Sequence, residues 1–348
     1  EGCVNEFVEG GHIKCAVNAR TGFEDVFPEA LVKTETPKKI GVVGAGPAGV
    51  VFAVNAARRG HTVELLEASS RIGGKVVPGS VPAVKFDFGN YLTWLEKQVA
   101  DAEALPNFTL KLNTEVTNDF LKAQNYDAVV VASGTKNFTP RIPGIDQVKY
   151  VQATDLLMNP KLMGEAKNIV VVGGGVVGCE TAYWLRYEYD KNVQVVEMLP
   201  NFMQGACTAN RGHLLHYMET AGVRLHNCAK VDSFGPGKVN IVKNVSKGAP
   251  DPFNTWQPLL PENIPNPLAK KLGPETANIA LEADLVVLAM GGRADNSIYA
   301  KAVADNVALL VDVCQLAYLR SPLLRRGRLA SLDVDALLHV TAELGQDA

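Results

Sequence analysis

Two glycine-rich segments carry a spacing that lets a backbone hold a diphosphate. The first is Gly44-Ala-Gly46-Pro47-Ala48-Gly49 and the second is Gly173-Gly-Gly175-Val176-Val177-Gly178. In a G-x-G-x-x-G turn the first glycine permits a sharp bend and the second lets the backbone approach a pyrophosphate. The third lets the following helix lie close on the preceding strand. The free N–H groups and positive dipole end of that helix then face the phosphates. Each segment also has an acidic residue in place. Glu67 stands 23 residues after Gly44, and Glu197 ends VQVVE, positions from which a carboxylate accepts from ribose hydroxyls.

Such turns work only between a strand and a helix, and the flanking residues supply both. KKIGVVGAGPAGVVFAVNAARRGHTVELLEAS reads as strand, glycine turn, helix and strand, and NIVVVGGGVVGCETAYWLRYEYDKNVQVVE repeats the pattern. Each is a βαβ unit. Further strands are predicted at Phe108–Leu112, Tyr126–Ala132, Val223–His226 and Val239–Val242, and Leu281–Gly292 reads as a buried strand running into a glycine turn. The expected fold is α/β, with two Rossmann-like dinucleotide-binding domains, the second inserted in the first. The expected division is a loop-rich segment over 1–36, a first domain over 37–165, a second over 166–280, and a return to the first over 281–348. Pro140–Gly144 suits the connection between domains. The stretch from Gly248 to Pro274 holds seven prolines and reads as an ordered surface excursion.

Composition narrows the function classes. At 348 residues and 47% hydrophobic content, two cores are affordable, and a net charge of −3 offers nothing to nucleic acid or an anionic membrane. The longest apolar runs are strand-length, so no bilayer span is expected, and no basic-then-apolar leader opens the chain. The chain lacks a starting Met, as either a piece of a longer polypeptide or a processed chain would. Six cysteines in a chain of this size fit a reducing, cytoplasmic setting better than a disulfide scaffold. The last stretch differs in kind: 302–348 has no lysine and four arginines, against 21 lysines and nine arginines before it. A basic leucine-rich helix and a changed reading frame both account for that shift.

Two dinucleotide domains in tandem pair most productively as a flavin and a nicotinamide. The arrangement resembles the glutathione-reductase-like flavoprotein fold, whose first domain holds FAD and whose inserted domain holds NAD(P)H. That resemblance assigns Gly44, Gly46, Pro47, Ala48, Gly49 and Glu67 to FAD. It adds Gly74 and Lys75 from SRIGGK, then Val116, then Ala132, Ser133 and Gly134 from VVVASGTKNFTPRIPG, with Ser133 where Thr is more usual. It assigns Gly173, Gly175, Val176, Val177, Gly178, Glu197, Met198 and Gly291 to NADH. Glu197 would repel a 2′-phosphate and Met198 and Leu199 bring no cation, which favours NADH over NADPH. Arg211 or Arg224 reaching that phosphate stays open. No cysteine lies within Gly49–Gly60, so a thiol-disulfide enzyme is not expected.

Cys3 and Cys15 stand in CVNEFVEGGHIKCAVN, followed by TGFE and the first βαβ unit. This run resembles the multidomain flavin reductases of the 2,4-dienoyl-CoA reductase and 2-enoate reductase type, relatives of trimethylamine dehydrogenase and old yellow enzyme. Members carry an N-terminal FMN barrel, a C-x2-C-x3-C-x11-C site for [4Fe–4S], then FAD and NAD(P)H domains. Cys3 and Cys15 match the third and fourth cysteines as metal ligands. The resemblance implies a relay from NADH to FAD, cluster and FMN, ending at an activated C=C bond of an enoate or enoyl-CoA. The barrel would belong to the same polypeptide or to a partner subunit, and a homo-oligomer is open. The resemblance covers Cys3 to about Asn306, including the insert NVSKGAPDPFNTWQPLLPENIPNPLAKKL. It stops in the tail, where no Gly-Asp pair follows residue 301. Two other readings are a stand-alone NADH:FAD electron-transfer subunit, like the small subunit of glutamate synthase, and an inactive truncated fragment.

Several residues read as structural. His213 and His216 fit a helix face, Cys179 fits small-residue packing, and Arg58 and Arg59 fit the solvated end of the first helix. Trp94 fits an amphipathic face, with a flavin cover as the alternative.

Overall fold

The computed structural model describes residues 31–255, 260, 264–268, 270–304 and 309–312, together with residues 7, 13, 15, 17, 18, 21, 22 and 24. Cys3 and the tail after Asp312 lie outside the described residues. In chain order the elements begin with β1 (Lys39–Val43), α1 (Pro47–Arg58), β2 (Thr62–Leu66), α2 (Phe86–Glu103), β3 (Phe108–Lys111), α3 (Asn118–Gln124) and β4 (Ala128–Val131). They continue with β5 (Thr135–Asn137), β6 (Tyr150–Gln152), α4 (Ala153–Met158), β7 (Asn168–Val172), α5 (Val176–Tyr187), β8 (Asn192–Val196), α6 (Thr208–Thr220) and β9 (Arg224–His226). The last are β10 (Ala229–Gly235), β11 (Lys238–Asn244), β12 (Thr276–Glu282), β13 (Leu285–Leu288), β14 (Gly292–Ala294), α7 (Ser297–Ala304) and β15 (Leu309–Asp312).

The chain forms two units. One takes 13–80, 85–136 and the chain from Arg293 on; the other takes 137–292 with residues 1–12 and 81–84. The first unit is built on a parallel sheet of order β15-β4-β1-β2-β3. Its central strands β1 and β4 are buried and apolar on both faces, as a parallel sheet covered twice requires. Alternate residues divide between the faces: Ile40, Val42, Leu65 and Val130 pack under α1 and α2, while Val43, Leu66, Val129 and Val131 pack with Val116, Leu121 and Ala302. Each such side chain taken out of water contributes about 1.5–3 kcal/mol.

The second unit carries a parallel sheet of order β6-β13-β7-β8-β9. One face, with Ile169, Val171, Val193 and Val195, meets Trp184, Leu185, Leu215 and Met218 of α5 and α6. The other, with Val170, Val172, Val286 and Leu288, is covered by the antiparallel sheet β10-β11-β12 through Val231, Phe234, Val239 and Ile241.

Two expectations need correcting, the strand at Leu281–Gly292 and the setting of Arg59. Within Leu281–Gly292 the strand is shorter than expected: Leu281 and Glu282 belong to the end of β12, Asp284 interrupts, and β13 (Leu285–Leu288) joins the second sheet beside β7 before the turn at Gly291. The Asp284 carboxylate accepts the N–H groups of Lys167 and Asn168 at 2.9 and 2.8 Å, capping the entrance to β7 instead of extending a strand. The chain leaves the first unit after Lys136 and re-enters it at Arg293. β5 and β14, the strands at these two crossings, pair in a two-stranded ribbon. Pro140–Gly144 lies wholly in the second unit, where the Phe234 N–H donates to the Pro143 carbonyl at 2.8 Å. Arg59 is not solvated: it is 9% exposed, and its Nε donates to the Val32 carbonyl at 3.0 Å. Among the described residues, no helix is long and apolar enough to cross a membrane.

Candidate functional site: two matched nucleotide loops

The β1–α1 and β7–α5 turns have the same construction. Gly44 and Gly173 have φ of +101° and +108°, in the left-handed region where a side chain is strained. A Cβ on either would press on a carbonyl oxygen, that of Ala132 at 2.4 Å or of Ala289 at 2.5 Å. These alanines hold matching places at the ends of β4 and β13, donating their N–H groups to Val43 O at 2.7 Å and Val172 O at 2.8 Å. The third glycines, Gly49 and Gly178, allow the helix to lie on the loop itself. A Cβ there would be 1.8 Å from Gly44 O or 1.9 Å from Gly173 O.

The second glycines differ from the first and third. Gly46 and Gly175 have φ of −71° and −69°, which any residue adopts. A Cβ on Gly175 would have no protein neighbour within 4 Å, and one on Gly46 would meet only the Gly74 Cα at 3.9 Å. Neither backbone strain nor internal packing requires glycine at these positions. In a G-x-G-x-x-G turn this open space, at the start of the following helix, is where a pyrophosphate could approach the backbone. Pro47 sits at the start of α1 with Ala48 exposed, and Val176 and Val177 are exposed at the start of α5.

Each loop is locked to its carboxylate. Glu67 Oε2 accepts the Ala45 N–H at 2.8 Å, and its Oε1 accepts the Ser69 N–H and hydroxyl, both at 2.8 Å. Glu197 Oε2 accepts the Gly174 N–H at 2.7 Å and its Oε1 accepts the Leu199 N–H at 2.7 Å. Charge-assisted bonds to both oxygens fix the carboxylate while leaving lone pairs for ribose hydroxyls.

The remaining expected FAD residues gather at the first loop. Gly73 donates to the Ala45 carbonyl at 2.8 Å, which brings Gly74 so near Gly46 that a Cβ on it would be 3.0 Å from the Gly46 Cα. Lys75 follows, exposed. The segment leading to Val116 is tied alongside by Thr114 N–H to Glu67 O at 2.8 Å, and Val116 is buried in the first unit. At the second loop, Met198 is 67% exposed beside Glu197, and Gly291 follows Ala289 with φ +80°.

Some participants were not legible beforehand. Ser133 Oγ donates to the Asp295 carbonyl at 2.9 Å, and the Asp295 N–H donates to Gly134 O at 3.1 Å. Lys136 Nζ lies 2.9 Å from Asp295 Oδ2. Burial pushes the Asp295 carboxyl upward, but hydrogen bonds from Lys136 and Ser297 outweigh it and hold the group below its ordinary value. The recurrence of a strand, then Gly134 or Gly291, was the available signal. Phe202 was also missed: buried, it lies against Gly174, where a Cβ would be 2.3 Å from its ring.

Neither arginine left open for a 2′-phosphate is placed for it. Arg211 is buried and spends its guanidinium on three backbone carbonyls. Arg224 pairs in register with Gln194 in the middle of β8, and its guanidinium donates to Asn192 Oδ1 at 3.1 Å, at the end of the strand away from Glu197. His213 and His216 flank Tyr217 on α6, and Cys179 is fully buried with its Sγ 3.4 Å from Gly174 O. Trp94 is partly buried against the first core and stacks on Tyr91 at 5.7 Å. Among the described residues, no group of three or more His, Cys, Asp or Glu is placed to hold a metal. Cys15 Sγ accepts the Asn18 N–H at 3.4 Å, and that bond with one from Val17 lowers its thiol below the ordinary value. The Cys3 expectation lies outside the described residues.

Residues 80–313 match the family described as pyridine nucleotide-disulphide oxidoreductase, and residues 42–101 match an NAD(P)-binding Rossmann-like domain. Over 218 residues the chain is 37% identical to cinnamate reductase of Clostridium sporogenes, covering 62% of this chain and 31% of that protein. It is 35% identical over 203 residues to NADH oxidase of Thermoanaerobacter brockii, covering 57% of this chain and 30% of that protein. The solved structure of 2-naphthoyl-CoA reductase in complex with 2-naphthoyl-CoA superposes with a TM-score of 0.77 at 26% identity, covering 96% of this chain and 45% of that one. The chain thus spans about a third of the length of these two curated relatives. With two carboxylate-locked glycine loops, it belongs to the pyridine nucleotide-disulphide oxidoreductase family.

Proposed function

We propose that this chain is the NADH-oxidising flavin half of a larger reductase of the enoate or enoyl-CoA type. The carrying observation is the pair of loops, each with a ligand-facing glycine and a fixed carboxylate. FAD, when bound, accepts two electrons from a nicotinamide as hydride and releases them singly, which suits a donor to an iron–sulfur centre. The chain's own part is to bind and orient. The first turns of α1 and α5 present N–H donors to the diphosphates, and Glu67 and Glu197 hold the riboses. Glu197 with no cation of Arg211 or Arg224 beside it favours NADH over NADPH.

Electrons would leave through a [4Fe–4S] cluster held by Cys3, Cys15 and two cysteines preceding residue 1, toward FMN in a barrel of the same polypeptide or a partner subunit. The Cys15 thiol accepting a backbone N–H supports a thiolate ligand there. Similarity to cinnamate reductase and 2-naphthoyl-CoA reductase supports an activated C=C substrate for the whole assembly. The working division is a cluster segment, an FAD domain, an inserted NADH domain and a return to the FAD domain.

The test is the visible absorption spectrum of the purified chain after incubation with FAD. A flavin band that bleaches on anaerobic addition of NADH is expected; a colourless protein, or a flavin indifferent to NADH, overturns the reading. Upstream coding sequence with a barrel and two cysteines is expected for the multidomain assignment.

A further inference from the structure

We infer that Arg211 is a positioning residue for NADH, holding the loop under the second glycine turn and coupling it to the proline-rich insertion. The inference rests on the assignment of that turn to NADH. Arg211 lies in the first turn of α6, 3% exposed, and among the described residues no carboxylate pairs with it. A buried cation at the positive end of a helix is costly unless fully hydrogen-bonded. Three backbone carbonyls meet that demand. Nε donates to Phe202 O at 3.0 Å, Nη1 to Thr255 O at 3.0 Å and Nη2 to Asn254 O at 2.6 Å.

The Phe202 end reaches the nucleotide turn directly. The Phe202 ring packs on Gly174, and the next residue, Met203, donates its N–H to Gly174 O at 2.8 Å. Met203 does so at φ +53°, a strained conformation for a long side chain that its surroundings must impose. Gly174 in turn gives its N–H to Glu197, whose other oxygen holds Leu199. The backbone from Leu199 to Met203 is thus laced to both groups that meet the nucleotide, and Arg211 anchors its middle. The other two arms fasten Asn254 and Thr255 of the insertion between β11 and β12, which also packs Phe253 against the unit's core. Arginine suits this place because its planar fork serves three acceptors at fixed directions.

The test uses the full chain loaded with FAD, with Arg211→Met and Arg211→Lys variants. Expected for Arg211→Met is a KM for NADH raised about tenfold, within the usual range of coupling between sites, with kcat and FAD content unchanged. Arg211→Lys, which keeps the charge without the fork, should fall between. Hydrogen exchange of the wild-type chain should show NADH protecting the amides of Phe202, Met203 and Thr255 as well as the glycine turn. An Arg211→Met variant with wild-type KM overturns the inference, as does protection confined to Gly174–Gly178 and Glu197. Loss of NADPH affinity alone, with NADH unaffected, also overturns it, since Arg211 would then serve a 2′-phosphate. If Arg211→Met does not fold, the wild-type exchange pattern decides. If the wild-type chain binds no NADH, the nucleotide assignment fails and takes this inference with it; wild-type binding with an unaffected variant sinks the inference alone.

Discussion

The carboxylate of Glu197 accepts the backbone N–H of Gly174 at 2.7 Å. Glu67 and Ala45 repeat the relationship at 2.8 Å in the other unit. The residue between the first two glycines thus holds the carboxylate at the end of the neighbouring strand. In each unit the glycine turn and the carboxylate are thereby held in one geometry.

Glu67→Ala is expected to weaken FAD retention. It leaves the N–H of Ala45, which is fully buried, without its acceptor, a loss of about 1–3 kcal/mol. Glu67→Gln keeps one acceptor oxygen and should be milder. Flavin per chain after desalting is the readout, and full retention in Glu67→Ala would remove Glu67 from the site.

Gly175→Ala and Gly178→Ala should separate binding from folding. At Gly175 a Cβ meets nothing within 4 Å at an ordinary φ, so the melting temperature should hold while NADH affinity falls. At Gly178 it would stand 1.9 Å from Gly173 O, so the second unit should lose stability by a few kcal/mol, roughly the cost of overpacking. Equal NADH affinity in Gly175→Ala and the wild type would count against the loop as a diphosphate site.

Glu197→Gln should relax discrimination against NADPH. Removing the negative charge lifts the repulsion of a 2′-phosphate, and the ratio of kcat/KM for NADH over NADPH should drop about tenfold. An unchanged ratio would place the discrimination elsewhere.

The second unit should lose stability in mild acid through His226. Burial first, then the charges of Lys243 and Arg224, bring this imidazole down to about 4 from 6.5. Between those values the unfolded chain binds a proton that the folded chain refuses, so stability is full above about 6.5 and falls as pH drops toward 4. Urea midpoints at neutral pH and in that window should differ more for the wild type than for His226→Gln. Identical pH slopes would sink the assignment.

The readable part of this protein was local. Glycine spacing, the acidic residue after each second strand and the valine runs of β1, β4 and β7 follow from rules acting within about thirty residues. They named both loops and both carboxylates. The reading failed where one short stretch served two partners. LEADLVVLAMGG looked continuous because Leu281 and Leu285 are both apolar, yet Asp284 spends its carboxylate on the start of β7 and splits the run. Arg59 looked solvated because it ends a helix, yet Val32, 27 residues earlier, supplies a carbonyl for it.

What the sequence determined by itself was the pair of strand–glycine turn–helix units, because φ-permissive glycines and helix starts are properties of adjacent residues. What only the tertiary structure decided was the company those turns keep. Phe202 lies under Gly174, Arg211 reaches carbonyls 43 and 44 residues away, and Asp295 closes on Ser133 and Gly134 from 162 residues downstream. Backbone carbonyls carry no sequence identity, so a side chain that recognises one leaves no mark on its partner's residue type. Such pairings exist only once the sheets have brought distant strands into register.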